Sequence, residues 1–297
     1  MIKESNGKIT DRLYAIGNSG LPAFLLLGKK PALFEAGMTF MGSIYLKELK
    51  THLGDAGHLR YLFLTHSHYD HCGAAPFLKR KIPGLQIGAS RLAAEIFKRP
   101  NALRLIQSLS RDPEERCRTL IGDEDVSFHS LEVDLPLSDG AEVFPGDGDR
   151  VRILATPGHT RDALSFYIPD WKVLIAGEAV GALDRNFHIQ PEFLSSYDDY
   201  LASLEKLAAL DVQVLLMGHS HVLTGEEARG YIAKSIKATS EFKERMETLL
   251  DKMGGDQEGV VKRIFKEDYK DTHAILQEEM PYLINLRAKV KAVAEKK

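Results

Sequence analysis

The segment Thr65-His66-Ser67-His68-Tyr69-Asp70-His71-Cys72-Gly73 packs three histidines and an aspartate into positions 66–71. Imidazole nitrogens and carboxylate oxygens suit zinc, iron or manganese, whereas a closed structural zinc site more often recruits thiolates. A core does not tolerate such crowding unless the groups are paired or ligated. Three later positions supply the same ligand types. They are His159 in Thr156-Pro157-Gly158-His159-Thr160, Glu178 in Ala176-Gly177-Glu178-Ala179, and His219 in Met217-Gly218-His219-Ser220-His221. Taken singly, each reads as a turn histidine or an exposed acid. Together with His66, His68, Asp70 and His71 they form a constellation that would complete a two-metal centre.

Each of these positions follows an apolar run with strand character: Tyr61–Leu64, Val151–Ala155, Val173–Ala176 and Val212–Met217. Side chains delivered by four strand ends converge on one edge of a sheet, and a rigid strand holds a ligand better than a free loop does. The remaining elements follow from periodicity and punctuation. Ala23–Leu27 and Ala32–Glu35 read as a hairpin around Gly28-Lys29-Lys30-Pro31, Ser43–Leu53 as a helix, Ala74–Lys79 as a short helix, and Leu85–Ile87 as a strand. Ser90 reads as the cap of a helix to about Lys98. Residues 100–130 are helical and charged, with Asp112-Pro113-Glu114-Glu115 read as a helix start, so a helical insertion is expected over about 95–130. Val143–Phe144, a Gly146-Asp147-Gly148-Asp149 turn and Leu164–Ile168 resume the strand pattern, and a helix is expected from about Ser196 to Leu210. Beyond Gly225 the pattern is helical only, broken at Gly254-Gly255, with two further segments near 257–268 and 272–295. The chain thus divides into a catalytic unit, 1–225, and a C-terminal helical extension, 226–297.

Composition narrows the function. The 297 residues carry 39 Lys plus Arg against 42 Asp plus Glu, a formal charge of −3, and no basic block, which disfavours nucleic-acid binding. No apolar stretch approaches the roughly 20 residues of a membrane span. Two cysteines, Cys72 and Cys117, make no disulfide framework, and with no charged-then-apolar N-terminal segment the cytoplasm is the expected compartment. A small-molecule substrate is the expected partner; whether the helical tail dimerises is open.

The motif His66-x-His68-x-Asp70-His71, followed by spaced His159, an acid and His219, resembles that of the metallo-β-lactamase-fold hydrolase superfamily over about residues 10–225. The resemblance implies an α/β fold, an αβ/βα four-layer sandwich of two mixed sheets with helices outside. It implies that His66, His68 and His159 hold one metal, that Asp70, His71 and His219 hold the other, and that Glu178 takes the place of the bridging carboxylate. Relatives usually carry aspartate there. Glutamate adds one methylene, about 1.5 Å of reach, so it bridges if the backbone sits back or binds a single metal. Glu35 also stands where many relatives have aspartate, and reads either as a partner that orients a ligand or as an exposed strand-end acid.

With two divalent ions, zinc or iron and with manganese also compatible, a bridging water would ionise near neutrality and attack a carbonyl or phosphoryl centre. Asp70 would ligate and also accept a hydrogen bond from that nucleophile. His221 reads equally as an alternative ligand, a proton donor to the leaving group or a surface histidine. His188 is a candidate for lining the cleft, Cys72 reads as a packed small residue, and His52, His58, His129 and His273 default to structure. A thiolate leaves without a protonating acid, unlike an amine. The layout of motif, post-Glu178 loop and helical tail is most similar to the thioesterase-type members, the glyoxalase II hydrolases and a quinolone-signalling thioesterase among them. An acyl thioester of acyl-CoA type is therefore the expected substrate. A phosphodiesterase, a lactonase and a mono-iron sulfur dioxygenase are rivals on the same motif. A metal-binding protein whose main task is to contact a partner, with residual hydrolysis, is the alternative from another class.

Overall fold

A computed structural model describes residues 1–146 and 148–295; Asp147 of the expected turn, and Lys296 and Lys297 of the extension, lie outside the described residues. Two seven-stranded sheets form among the described residues. One runs in the order Gly7–Lys8, Leu13–Asn18, Leu21–Leu26, Ala32–Phe34, Tyr61–Phe63, Gln86–Ser90, Leu135–Leu137; the other in the order Ile2–Glu4, His221–Thr224, Val214–Met217, Val173–Gly177, Leu164–Ile168, Asp149–Ala155, Glu142–Gly146. The pairings from Ala32–Phe34 to Leu135–Leu137 are parallel, as is Val173–Gly177 with Val214–Met217; the other pairings within the two sheets are antiparallel.

Strands buried on both faces must be apolar at every position, which is why these segments read as runs and not as alternations. Successive residues divide between two cores. Leu25 and Leu62 point to the helices outside the first sheet, while Phe24, Leu26, Phe34 and Phe63 point to the space between the sheets. From the second sheet Val173, Ile175, Phe166 and Ile168 meet them there, and Leu174, Ala176 and Tyr167 turn outward to a third core of helices. The Phe166 ring lies 5.2 Å from that of Phe34 and 5.6 Å from that of Phe63, within the range of favourable aromatic pairs. Helix, sheet, sheet, helix is the resulting order of layers, and the expected sandwich is present.

Four local expectations are corrected. Leu13–Asn18 is itself a strand, paired antiparallel with Leu21–Leu26, so the segment from Leu13 to Glu35 holds three strands and not two. Asp112 caps no helix: Pro113 lies inside Pro100–Arg116, whose buried stripe Ile106, Ser110 and Pro113 follows the helical period. Packing of that stripe overrides the local start signal, and the helix opens instead with Pro100 in its first turn. Helix gives way after a short turn at Arg118–Ile121, and residues 124–133 carry neither helix nor strand. The C-terminal region folds as Glu226–Lys252, Gln257–Ile264 with a π turn over Phe265–Lys270, and Glu279–Ala294, the last beginning seven residues later than the periodicity suggests. Asp256 caps the second of these helices by accepting from the Gly259 amide at 3.0 Å. No helix among the described residues is long and apolar enough to cross a membrane.

Candidate metal centre

Four strands end at the same rim of the sandwich. Tyr61–Phe63 leads into His66, Asp149–Ala155 into His159, Val173–Gly177 into Glu178, and Val214–Met217 into His219. Two backbone bonds fasten this rim, Leu164 N–H to the Thr65 carbonyl at 2.7 Å and Gly218 N–H to the Gly177 carbonyl at 2.9 Å. His68 stands at the start of a single helical turn, Tyr69–Cys72, which carries Asp70 and His71 side by side.

The donor atoms form two groups, His66, His68, His159 and Glu178 in one and Asp70, His71 and His219 in the other, each with its atoms within 4.8 Å of one another. His68 Nδ1 lies 3.1 Å from His66 Nε2 and 3.0 Å from His159 Nε2; His71 Nε2 lies 3.2 Å from His219 Nε2. Glu178 spans both groups. Its Oε2 is 2.7 Å from His159 Nε2, 3.4 Å from His66 Nε2 and 3.3 Å from His71 Nε2, and its Oε1 is 3.7 Å from His219 Nε2. Asp70 Oδ2 stands 3.7 Å from His219 Nε2 and 3.9 Å from His71 Nε2.

The outward face of each ring decides its protonation. Thr65 Oγ1 donates to Glu35 Oε1 at 2.7 Å, so the same hydroxyl accepts from His66 Nδ1–H at 2.9 Å. His159 Nδ1–H donates to the Glu192 carbonyl and His219 Nδ1–H to the Gly20 carbonyl, each at 2.8 Å. His71 Nδ1 faces Glu35 Oε2 at 3.3 Å. A proton fixed on Nδ1 leaves Nε2 as the nitrogen that faces the other donors, and in a neutral ring its lone pair points at theirs. Opposed lone pairs about 3 Å apart repel unless a cation lies between them. Donors each about 2.0–2.1 Å from one ion would be separated by roughly this distance. The residues therefore fit divalent metal ions.

Charge states divide the rings. Burial, with His71 nearby, holds His66 well below its ordinary pKa, and burial beside His159 brings His68 down to about 4. For His71 and His159 burial acts in the same direction, but Glu35 and Asp70 for the first and Glu178 for the second outweigh it and raise both above the ordinary value. A metal ion must displace protons from groups so raised, whereas His66 and His68 are already neutral near pH 7. Zinc binding to metal-free protein at pH 6.5 is accordingly expected to release protons, and the release to shrink as pH rises above the raised values. Calorimetry in two buffers of different ionisation enthalpy checks this; a binding heat independent of buffer contradicts it.

Of the other predicted residues, Glu35 is inside the site. It is 1% exposed, has a φ of 71°, and ties the Thr65–His66 pair to His71, so it is a partner of two candidate ligands and not an exposed strand-end acid. Cys72 is buried and its thiol is pushed well up, which makes it a packed residue. His221 belongs to neither donor group. Its ring lies 5.7 Å from that of Phe187, its Nδ1 has no hydrogen-bond partner among the described residues, and burial lowers its pKa. His188 is exposed, 3.4 Å from Asp184. Sequence reasoning missed Thr65, Glu192 and Tyr200 as supports. Thr65 adjoins the motif, but nothing in the spacing marks a main-chain carbonyl such as that of Glu192.

A sequence profile described as the metallo-beta-lactamase superfamily matches residues 20–219, two thirds of the chain and the whole span from the strand Leu21–Leu26 to His219. The chain belongs to this superfamily. It is 25% identical over 229 residues to the probable metallo-hydrolase YflN of Bacillus subtilis (strain 168), a match covering 69% of this chain and 82% of that one. It is 29% identical over 166 residues to a hydroxyacylglutathione hydrolase of Brucella ovis, covering 55% of this chain and only about half, 49%, of the relative. Among solved structures, a metallo-beta-lactamase family protein from Thermus thermophilus superposes with a TM-score of 0.66 at 20% identity, covering 96% of this chain and 93% of its own. That match extends over the C-terminal helices as well as the sandwich.

Proposed function

We propose that this superfamily member is a metal-dependent hydrolase of acyl thioesters or esters, an acyl-CoA-type thioester first among them, working with a pair of divalent ions, zinc or iron. The observation that carries the reading is the convergence of seven donors, with His66, His159 and His219 each turning Nδ1–H outward to an acceptor and Glu178 reaching both groups. Ions held there would supply a water acidified toward neutrality and an electrophile for the attacked oxygen. Asp70, less buried than His66 or His71, would accept the hydrogen bond that aims such a nucleophile. Glu35 and Thr65 hold His66 and His71 against rotation.

Two features favour a thioester. The acid that the sequence offers outside the ligands, His221, stands apart from both donor groups and is biased toward its neutral form, which suits a leaving group that needs no protonation. A relative bears the name hydroxyacylglutathione hydrolase, which denotes an acyl thiol ester as its substrate class. Substrate choice would fall to the elements beside the centre. Glu114 of the insertion accepts from Thr39 Oγ1 at 2.6 Å, Arg116 pairs with Glu278 of the tail at 3.0 Å, and the Arg185 amide donates to the Ala274 carbonyl at 2.9 Å. The insertion thus meets the extension, whose boundary with the catalytic unit we place near residue 225, and the extension meets the loop that follows Glu178. Two cysteines without a bridge suit the cytoplasm, which completes the proposal.

Metal content of never-chelated protein, followed by turnover of thioesters, lactones and bis-p-nitrophenyl phosphate, tests it. Preference for a thioester with about two ions bound is the expected result. Absence of bound transition ion sinks it. Two ions with no turnover on any of the panel favours a partner-binding role, and oxygen uptake by an iron form prepared anaerobically points to a dioxygenase. Glu178→Asp withdraws the carboxylate by about 1.5 Å from a contact of 2.7 Å with His159. It is expected to weaken metal retention and turnover by about 10- to 100-fold, read by metal analysis after dialysis and by kcat.

A further inference from the structure

Helix Glu279–Ala294 buries Tyr282, Leu286, Lys289, Val290 and Val293. A lysine in that stripe, 4% exposed, is anomalous, since lysine is almost never fully buried unless paired. Its Nζ donates to Glu192 Oε1 at 2.9 Å, and Glu192 is itself only 7% exposed. Nothing about docking a helix requires such a pair, because a buried pair is at best a weak source of stability compared with apolar residues of the same volume.

The main chain at Glu192 faces the metal centre. Its carbonyl accepts from His159 Nδ1–H at 2.8 Å, and its N–H donates to Tyr200 Oη at 3.4 Å. Tyr200 Oη in turn donates to the Glu178 carbonyl at 3.5 Å. One residue therefore touches the supports of two candidate ligands, and its side chain is held by the C-terminal extension.

We propose that Lys289 is a positioning residue for the metal centre: by fixing Glu192 it sets the orientation of His159, and through Tyr200 the backbone of Glu178. The extension is then part of the ligand scaffold and not only a cover for the substrate. Without the ammonium, the Glu192 carboxylate is left buried and alone; it turns toward water and takes its carbonyl off His159. This inference rests on the reading of the site as a metal centre, and wild-type protein separates the two: if wild type binds no ion, that reading fails first.

The test is zinc affinity by chelator competition, together with the visible spectrum of the cobalt-substituted protein, for Lys289→Met, Lys289→Arg and the charge-free pair Lys289→Met with Glu192→Gln. Lys289→Met is expected to weaken one bound ion by about 10- to 100-fold, the usual effect of losing an outer partner of a ligand, and to shift the cobalt spectrum. Lys289→Arg, which keeps the cation, is expected to stay within about threefold of wild type. The charge-free pair leaves no lone buried charge and so folds even if Lys289→Met does not; it is expected to fall between the two. Wild-type affinity and spectrum in folded Lys289→Met, or in the folded charge-free pair, overturn the proposal. So does failure of both Lys289→Met and the charge-free pair to fold, since the pair would then serve the fold alone.

Discussion

His66→Ala is expected to remove one bound ion and lower hydrolysis by at least about 10³-fold, well beyond the 10- to 100-fold typical of an outer partner. His66 is 2% exposed and its Nε2 sits 3.1 Å from His68 Nδ1 and 3.4 Å from Glu178 Oε2, so its loss opens the first donor group at its centre. Alanine also leaves the Thr65 hydroxyl without the Nδ1–H it accepts from, although Thr65 still donates to Glu35. The fold should survive, because two histidine nitrogens crowded to 3.1 Å are a cost to the metal-free protein that removal of one ring relieves. Metal analysis beside steady-state turnover reads both effects. Full activity with full metal content in this variant would show that the centre lies elsewhere.

Gly158→Ala is expected to be the most damaging small substitution outside the ligands. Gly158 has a φ of 129°, which an L side chain rarely adopts, and a Cβ built there would lie 2.3 Å from Tyr200 Cα and 2.4 Å from Tyr200 N. Those atoms are helix backbone and cannot swing away. The Gly158 carbonyl also accepts from the amides of Ser195 and Ser196, at 2.9 and 3.2 Å, and Ser196 caps the helix Tyr197–Ala208 through the Asp199 amide. Relief of the clash must separate that helix from the turn bearing His159. A loss of about 3–5 kcal/mol is expected, read as a lower urea midpoint of the metal-free protein, together with weaker metal retention. A change under about 1 kcal/mol would mean that the turn yields freely.

The correspondence between sequence and structure differs from element to element for physical reasons. Strands buried on both faces were legible because nothing but an apolar run can fill them, and Val173–Gly177 and Leu164–Ile168 lie within a residue of their expected bounds. Leu13–Asn18 was hidden because Tyr14 and Gly17 interrupt the run, and its strand character depends on pairing with Leu21–Leu26. Ile2–Glu4 pairs with His221–Thr224, its neighbour in the sheet but far away along the chain, and no local pattern announces that. Asp112-Pro113 misled because capping signals are read locally, while the buried stripe of Pro100–Arg116 is set by what the helix packs on.

The candidate ligands themselves were written in the sequence: residue type, spacing within 66–71, and position just past four apolar runs suffice to name His66, His68, Asp70, His71, His159, Glu178 and His219. Only the tertiary structure decided which nitrogen of His159 and of His219 faces inward, because that depends on acceptors far along the chain. The carbonyl that orients His219 belongs to Gly20, 199 positions away, and the one that orients His159 belongs to Glu192. The same holds for Lys289, whose place in an apolar stripe is visible in the sequence but whose partner is not. Ligand identity is carried by side-chain chemistry, residue by residue; ligand orientation is carried by hydrogen bonds between segments that meet only when the two sheets close on each other.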